Sequence, residues 1–177
     1  MNKYLESVQA FQNAIQNKKD FSEAYNNLGF AFKKLGDYAK SKENFLKAIE
    51  YKDNYFQAFN NLTALALEEN NLEDASKFAK KSIQINQKNF EAYNNLGLIL
   101  KKSNDIKNSL INFHKALEIN PNYLPTLINL AKNYDGLNEY NKAFDCINKA
   151  LKIEPENINA LSIPVSYTHL RAHETCL

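Results

Sequence analysis

A column of asparagines runs along this 177-residue chain at a constant spacing of 34 residues. A side-chain amide carries both a hydrogen-bond donor and an acceptor, so it can pair with the C=O and N–H of a peptide backbone whatever the peptide's sequence. Amides repeated at a fixed interval therefore predict a ladder for an extended peptide. The alternative is that these amides serve packing between structural units. The column consists of Asn27, Asn61, Asn95 and Asn129.

Residues that could carry catalysis are few and isolated. His114 stands beside Lys115 on an amphipathic stretch, and we interpret it as a solvent-facing side chain rather than a general base. Cys146 lies between Ala143 and Ile147, a setting typical of a small packing residue rather than a nucleophile. We therefore predict that the chain is not an enzyme, with no catalytic residue, no metal site and no cofactor.

The spacing of 34 comes from an internal repeat. The phrase Glu-Ala-Tyr-Asn-Asn-Leu-Gly occupies residues 23–29 and recurs at 91–97, with degraded copies beginning at residues 57 and 126. A repeat of this size indicates stacked units that bury their apolar faces against one another. Within each unit, apolar residues recur at threes and fours on both sides of a short turn, which predicts a helical hairpin.

The turn and packing positions also recur. The turn column holds residues that tolerate positive φ: Gly36, Asn70, Asn104 and Asn138. The next column holds three good helix N-cap residues and one weaker one: Asp37, Asn71, Asp105 and Glu139. We expect Leu62 and Leu96 to be buried between hairpins and Gly97 to lie at a close approach of two helices.

These columns resemble those of the tetratricopeptide repeat family. The residues that carry the match are an aromatic or leucine column (Tyr25, Phe59, Tyr93, Leu127), a leucine column (Leu28, Leu62, Leu96, Leu130) and two glycines (Gly29, Gly97). The departures are Thr63 and Ala131 in place of glycine, and Asp53 and Gln87 in place of proline. The resemblance extends over roughly nine-tenths of the chain. It implies an all-α, right-handed α-solenoid of helix-turn-helix hairpins with a period of 34 and a general protein-binding role.

The resemblance also implies a concave groove lined by the first helix of each unit. The residues that it places there are Asn27, Asn61, Asn95, Asn129, Asn26, Asn60, Asn94, Phe30, Leu98, Lys33 and Lys101. The asparagine column looks like the ladder of the O-linked N-acetylglucosamine transferase superhelix. The groove lacks the paired cations of the chaperone-tail carboxylate clamp, because Glu91 and Asn95 stand at those positions.

Both ends depart from the periodic pattern. Residues 3–20 match only the second helix of a unit, which predicts either a longer parent protein or a lone capping helix. Four units follow at 22–55, 56–89, 90–123 and 124–157, and a truncated fifth begins at 158–163. Pro164 breaks the helical pattern, and residues 164–177 resemble one reading frame of a transposase adaptor used in sequencing libraries. We interpret this tail as non-native, with a natural disordered tail as the alternative, and exclude its His169, His173 and Cys176 as a metal site.

Composition excludes several classes of function. The net charge is +2, and lysines are interspersed with acidic residues, so we predict no nucleic-acid binding. No stretch approaches the roughly 20 apolar residues of a membrane span. The absence of a signal peptide favours a cytoplasmic location, unless the true N-terminus is missing.

The sequence thus predicts a protein-interaction module that binds an extended peptide or partner helix in its concave groove. One alternative is the peptide-recognition arm of a larger enzyme, such as a glycosyltransferase or sulfotransferase whose catalytic domain is missing. Another is a purely structural scaffold within an assembly. The partner itself is a protein or peptide whose identity these residues do not reveal.

Overall fold

The structure, a computed structural model, describes residues 2–163. Within that range the chain forms ten α-helices and no strand. In chain order they are α1 (Asn2–Asn17), α2 (Ser22–Lys34), α3 (Tyr38–Tyr51), α4 (Phe56–Glu68), α5 (Leu72–Ile85), α6 (Phe90–Lys102), α7 (Ile106–Ile119), α8 (Leu124–Gly136), α9 (Tyr140–Ile153) and α10 (Ile158–Leu161). The expectations for the tail at 164–177 lie outside the described residues.

Four hairpins stack in order and form the solenoid. They pair α2 with α3, α4 with α5, α6 with α7 and α8 with α9, and each hairpin packs on the next. α1 packs against α2, as α3 packs against α4, and α10 packs against α9. The predicted all-α solenoid of helical hairpins is confirmed. Among residues 2–163, no helix is both long enough and apolar enough to cross a membrane.

The turns inside the hairpins follow the predicted chemistry. Gly36 has φ of +82°, and the three asparagines of its column have φ between +55° and +62°. This left-handed residue ends the first helix of each hairpin and lets the next backbone N–H reach back into it, as in the 3.0 Å bond from Asp37 to the Phe32 carbonyl. The side chains of Asp37, Asn71 and Asp105 then accept from the backbone of the following helix, whereas Glu139 forms no such cap.

Two glycines allow the helices of a hairpin to approach closely. A Cβ atom on Gly29 would lie 2.7 Å from the ring of Phe45, and one on Gly97 would lie 2.6 Å from the ring of Phe113. Both phenylalanine rings are fully buried. The predicted close approach at Gly97 is confirmed. The Phe113 ring occupies the space that a side chain at position 97 would otherwise fill.

The leucine column is buried unevenly. Leu62 is 1% exposed, as predicted, but Leu96 is only half-buried. Leu62 packs in one cluster with Phe45, whereas Leu96 meets a cluster built on Ala75 and Ala79. The expectation of full burial at Leu96 was wrong because the preceding unit presents an alanine where the others present a large side chain.

The first helices of the hairpins form one continuous face. α2, α4, α6 and α8 approach one another directly along the stack, more closely than the second helices α3, α5, α7 and α9 do. Closer spacing on one side curves the stack toward that side, so these four helices lie on its inner face. We call the surface along them the concave groove.

Candidate functional site in the concave groove

The two neighbouring asparagine columns lie in different environments. Asn26, Asn60 and Asn94 are buried between hairpins, at 8%, 7% and 4% exposure. The column one residue later reaches the groove: Asn27 is exposed, and its three equivalents at 61, 95 and 129 are half-buried. The inner column is therefore placed for packing, and the outer column borders the open surface of the concave groove.

Two outer asparagines are held by inner ones of the preceding hairpin. Asn61 donates from Nδ2 to Oδ1 of Asn26 at 2.8 Å, and Asn129 donates to Oδ1 of Asn94 at 3.0 Å. The two bonds are equivalent under the 68-residue repeat. Each fixes the orientation of a groove amide and leaves its carbonyl oxygen available.

The inner asparagine of the second hairpin follows a different arrangement. Asn60 accepts from Ser82 Oγ at 2.7 Å and donates to Glu91 Oε2 at 3.0 Å. Its amide also pairs with that of Asn89, at 3.0 and 3.2 Å. Asn60 is engaged in this network, and the side-chain amide of Asn95 has no hydrogen-bond partner within residues 2–163. The side-chain amide of Asn27 in the first hairpin is likewise unpaired in this range.

The groove also presents apolar surface. Phe30 is 42% exposed, with the Lys34 ammonium 5.2 Å from the centre of its ring. One period further, Ala64 is half-buried, and after it Leu98 packs against the core of the last hairpins. These side chains alternate with the outer asparagines along the stack, so polar and apolar contacts are available side by side.

The two groove lysines differ in their partners. Lys33 forms an ion pair with Glu68 at 2.9 Å across two hairpins. Lys101 is its equivalent 68 residues later, but position 136 is glycine instead of an acid. Lys101 forms no ion pair within the described part of the chain. Burial, together with the charge of Lys132, lowers the pKa of Lys101 below its ordinary 10.5.

The C-terminal end of the groove holds a cavity of about 320 Å³. Asn129, Lys132 and Asn159 contribute to its lining. Lys132 thus connects the cavity with the unpaired ammonium of Lys101.

Cys146 and His114 lie outside the concave groove. Burial raises the pKa of Cys146 to about 11, with a further contribution from Asp145, so its thiol stays protonated at neutral pH. His114 is exposed and pairs through Nε2 with the Tyr134 hydroxyl at 2.7 Å. Residues 2–163 contain no group of three or more His, Cys, Asp or Glu side chains that could hold a metal ion.

Sequence reasoning missed the residues that hold the inner asparagines. Ser82 and Thr126 are fully buried hydroxyls that bond to Asn60 and Asn94, at 2.7 and 2.9 Å. Both stand at positions where the other units carry alanine, and this departure from the repeat could have identified them from the sequence. A hydroxyl in a buried alanine column needs a hydrogen-bond partner, and that partner is an inner asparagine, which was expected in the groove.

Comparisons with known proteins agree with this architecture. Family models described as "Tetratricopeptide repeat" match residues 22–55, 90–123 and 125–157. A comparison with curated proteins found no significant match.

Several solved structures share the fold. PilF of Pseudomonas aeruginosa is similar with a TM-score of 0.86 at 16% identity, covering 98% of this chain and 80% of that one. TTC0263, a thermophilic repeat protein of Thermus thermophilus, has a TM-score of 0.77 at 17% identity, covering 99% and 92%. YrrB, described as having an unusual peptide-binding site, has a TM-score of 0.66 at 20% identity, covering 90% and 82%. At these identities the likeness shows the fold alone.

Proposed function

The chain belongs to the tetratricopeptide repeat family, whose members are protein-interaction scaffolds, and we propose that its concave groove binds an extended peptide of a partner protein. The outer asparagines pair with the peptide backbone, and Phe30 and Leu98 contact its side chains. Lys33 forms an ion pair with Glu68, so of these two lysines it is Lys101 whose positive charge is available to the peptide.

The observation that carries the proposal is the Asn95 amide. It is half-buried in the middle of the groove and has no hydrogen-bond partner within residues 2–163. Polar groups that are already partly desolvated gain from a ligand that pairs with them, because little further water has to be displaced. An extended peptide offers a backbone N–H and C=O to both halves of this amide.

Charge narrows the chemistry of the ligand. Lys101 lies partly buried beside Lys132, and both its burial and the charge of Lys132 disfavour the ionised state of Lys101. A ligand carboxylate placed between the two ammonium groups would relieve that repulsion. We therefore expect the preferred peptides to carry an acidic residue that reaches the C-terminal half of the groove.

The test is a selection of peptides from a random phage-displayed library on the wild-type protein, followed by titration of the recovered peptides. Asn95→Ala should weaken binding by about 0.5–1.5 kcal/mol and leave the melting temperature nearly unchanged, since no intramolecular bond is lost. Lys101→Met should weaken the binding of peptides that contain an acidic residue and leave the others unaffected.

Asn61→Ala is the matched control in the same column. It removes the donor to Asn26, so it should lower the free energy of unfolding by about 1 kcal/mol in addition to any effect on binding. If no recovered peptide depends on Asn95 or Lys101 while both variants remain folded, groove binding is contradicted.

A further inference from the structure

An apolar groove lies on the outer face of the molecule, away from the concave groove. It runs between α3 and α5 and has a volume of about 670 Å³. Leu46 and Ile49 of α3 form one wall, Phe78 of α5 forms the other, and Phe59 of α4 closes the floor. The rings of Phe59 and Phe78 are 6.4 Å apart. We refer to it as the α3–α5 groove.

The apolar walls depart from the repeat pattern. Leu46 occupies a position that holds Lys80, His114 and Asn148 in the later units. Phe78 likewise replaces the polar or small residues found in the other units, which are Asn44, Asn112 and Cys146. Leu46 is 41% exposed. Two bulky apolar residues have thus replaced polar ones on facing walls of a single groove, at the cost of exposed apolar surface.

The rim of the same groove is basic, and the described residues that line it include no acid. Lys77, Lys80 and Lys81 of α5 border it, and none forms an ion pair within residues 2–163. On α3, by contrast, Lys47 pairs with Glu43 at 2.7 Å. The positions equivalent to the α3 acids Glu43 and Glu50 are Lys77 and Gln84 on α5. Both acids that would neutralise the lysines are therefore replaced on α5, whereas α7 keeps Glu118 and α9 keeps Asp145.

We propose that the α3–α5 groove docks an acidic segment of a partner protein through a bulky apolar anchor side chain. The anchor fills the space between Leu46 and Phe78, and carboxylates on either side of it meet the three rim lysines. An apolar pocket within an uncompensated basic rim matches a segment in which aspartate or glutamate flanks a leucine, methionine or phenylalanine. This surface is separate from the concave groove, so the protein can hold two partner segments at once.

The experiment uses the peptide library on the full chain, with variants that alter only this groove. Leu46→Lys introduces the residue that the next unit carries at the same position, so the fold should tolerate it. The charge reversal Lys77→Glu/Lys81→Glu leaves the apolar packing untouched. The matched control is Ile111→Lys, which removes another exposed apolar residue of the outer face, 55% exposed on α7, outside the groove.

We expect a class of recovered peptides with acidic residues around one bulky apolar side chain. Their affinity should fall about tenfold or more on Leu46→Lys and on the charge reversal, as the loss of an anchor contact or of several charge contacts predicts. Ile111→Lys and Asn95→Ala should leave it unchanged, which separates this site from the concave groove.

Three outcomes would overturn the proposal. The first is that acidic peptides bind the Leu46→Lys variant as well as the wild type, or that no recovered peptide depends on this groove. The second is co-sedimentation of the wild type, but not the variant, with phosphatidylserine-containing vesicles, which would make the groove a membrane contact. The third is a wild-type dimer in sedimentation equilibrium that Leu46→Lys dissociates, which would make it a contact between copies.

Discussion

The first and third hairpins share the same contact between their two helices, whereas the second, which lies between them, forms that contact with different residues. In the first and third, a glycine faces a buried phenylalanine, as Gly29 faces Phe45. In the second, Thr63 stands at the glycine position and Ala79 at the phenylalanine position, and both are fully buried. The larger side chain of the pair is on the second helix in the first and third hairpins and on the first helix in the second hairpin. The second hairpin nevertheless stacks on its neighbours as the others do.

This comparison separates what the fold requires from what it tolerates. The requirement is that the space between the two helices is filled, because interiors are close-packed and voids are costly. The fold tolerates the larger side chain on either of the two helices. The fourth hairpin, with Ala131 facing Ile147, is an intermediate arrangement in which both residues are buried in one cluster.

The second hairpin also differs on both surfaces of the molecule. Its inner asparagine binds Ser82 and Asn89 rather than the outer asparagine of the next hairpin, which frees Asn95. Its second helix carries the aromatic residue one position earlier, at Phe78, and builds the wall of the α3–α5 groove. The divergent hairpin therefore shapes both candidate binding surfaces.

The largest expected effect is the loss of a phenyl ring from a hairpin that relies on one. Phe113→Ala should lower the free energy of unfolding by about 3–5 kcal/mol, since Gly97 cannot fill the resulting space. Phe45→Ala is the matched control in the first hairpin and should cost about as much. Equilibrium urea denaturation followed by circular dichroism measures both. A cost below about 1 kcal/mol would show that the ring does not bear the packing of its hairpin.

The next effect tests whether volume is exchanged between helices. Ala79→Phe should cost about 1–3 kcal/mol by overpacking against Thr63. In Thr63→Gly/Ala79→Phe the ring has the space that it has beside Gly97, so the double variant should be more stable than the two single effects predict, by about 0.5–3 kcal/mol.

The reverse exchange in the third hairpin provides the control. Gly97→Thr alone places atoms where the Phe113 ring lies, and adding Phe113→Ala should relieve that clash. If the single effects simply add up in both hairpins, these facing positions do not share one volume, and the comparison drawn above fails.

The hairpins, their turns and the Gly97 approach could be predicted from the sequence because each depends on residues close along the chain or one period apart. A positive φ at Asn70 and a cap at Asn71 follow from local chemistry. The half-burial of Leu96 did not follow. It depends on which side chains the preceding hairpin places against Leu96. The sequence shows that Ala79 stands where other units have a large side chain, but it does not show that Leu96 is the residue left partly exposed.

The hydrogen bonds of the asparagines could be predicted even less. The same pair of letters, Asn-Asn, forms an inter-hairpin bond at Asn26 and Asn61 and a different network at Asn60. A hydroxyl alone does not decide between them, because Asn94 accepts from both Thr126 and Asn129. Asn60 differs in that its amide also pairs with Asn89 and donates to Glu91. The positions of the two asparagine columns can therefore be read from the repeat. The hydrogen-bond partner of each amide depends on which side chains of other helices lie near it in the folded structure.

The smallest expected effect concerns an ion pair that the second hairpin lacks. Glu23 and Lys52 are 2.8 Å apart at the end of the first hairpin, where the second has the neutral residues Gln57 and Asn86. The hydrogen bond from Lys52 lowers the pKa of Glu23 from its ordinary 4.5 to about 2. A carboxylate whose pKa is lower in the folded state stabilises the fold above its unfolded pKa, and this contribution is lost as the pH falls from about 4.5 toward 2.

Glu23→Gln introduces the residue that the second hairpin carries at this position and should cost less than about 1 kcal/mol at pH 7, because solvent screens an exposed pair. The difference in unfolding free energy between wild type and variant should shrink as the pH is lowered and disappear near pH 2, where the wild-type carboxyl takes up its proton. Gln57→Glu is the matched variant in the second hairpin. It gains no lysine partner, since Asn86 stands at the position of Lys52, and should show no such pH dependence. A difference for Glu23→Gln that persists unchanged to pH 2 would mean that the side chain acts through packing instead of charge, and the two hairpins would then differ in shape alone.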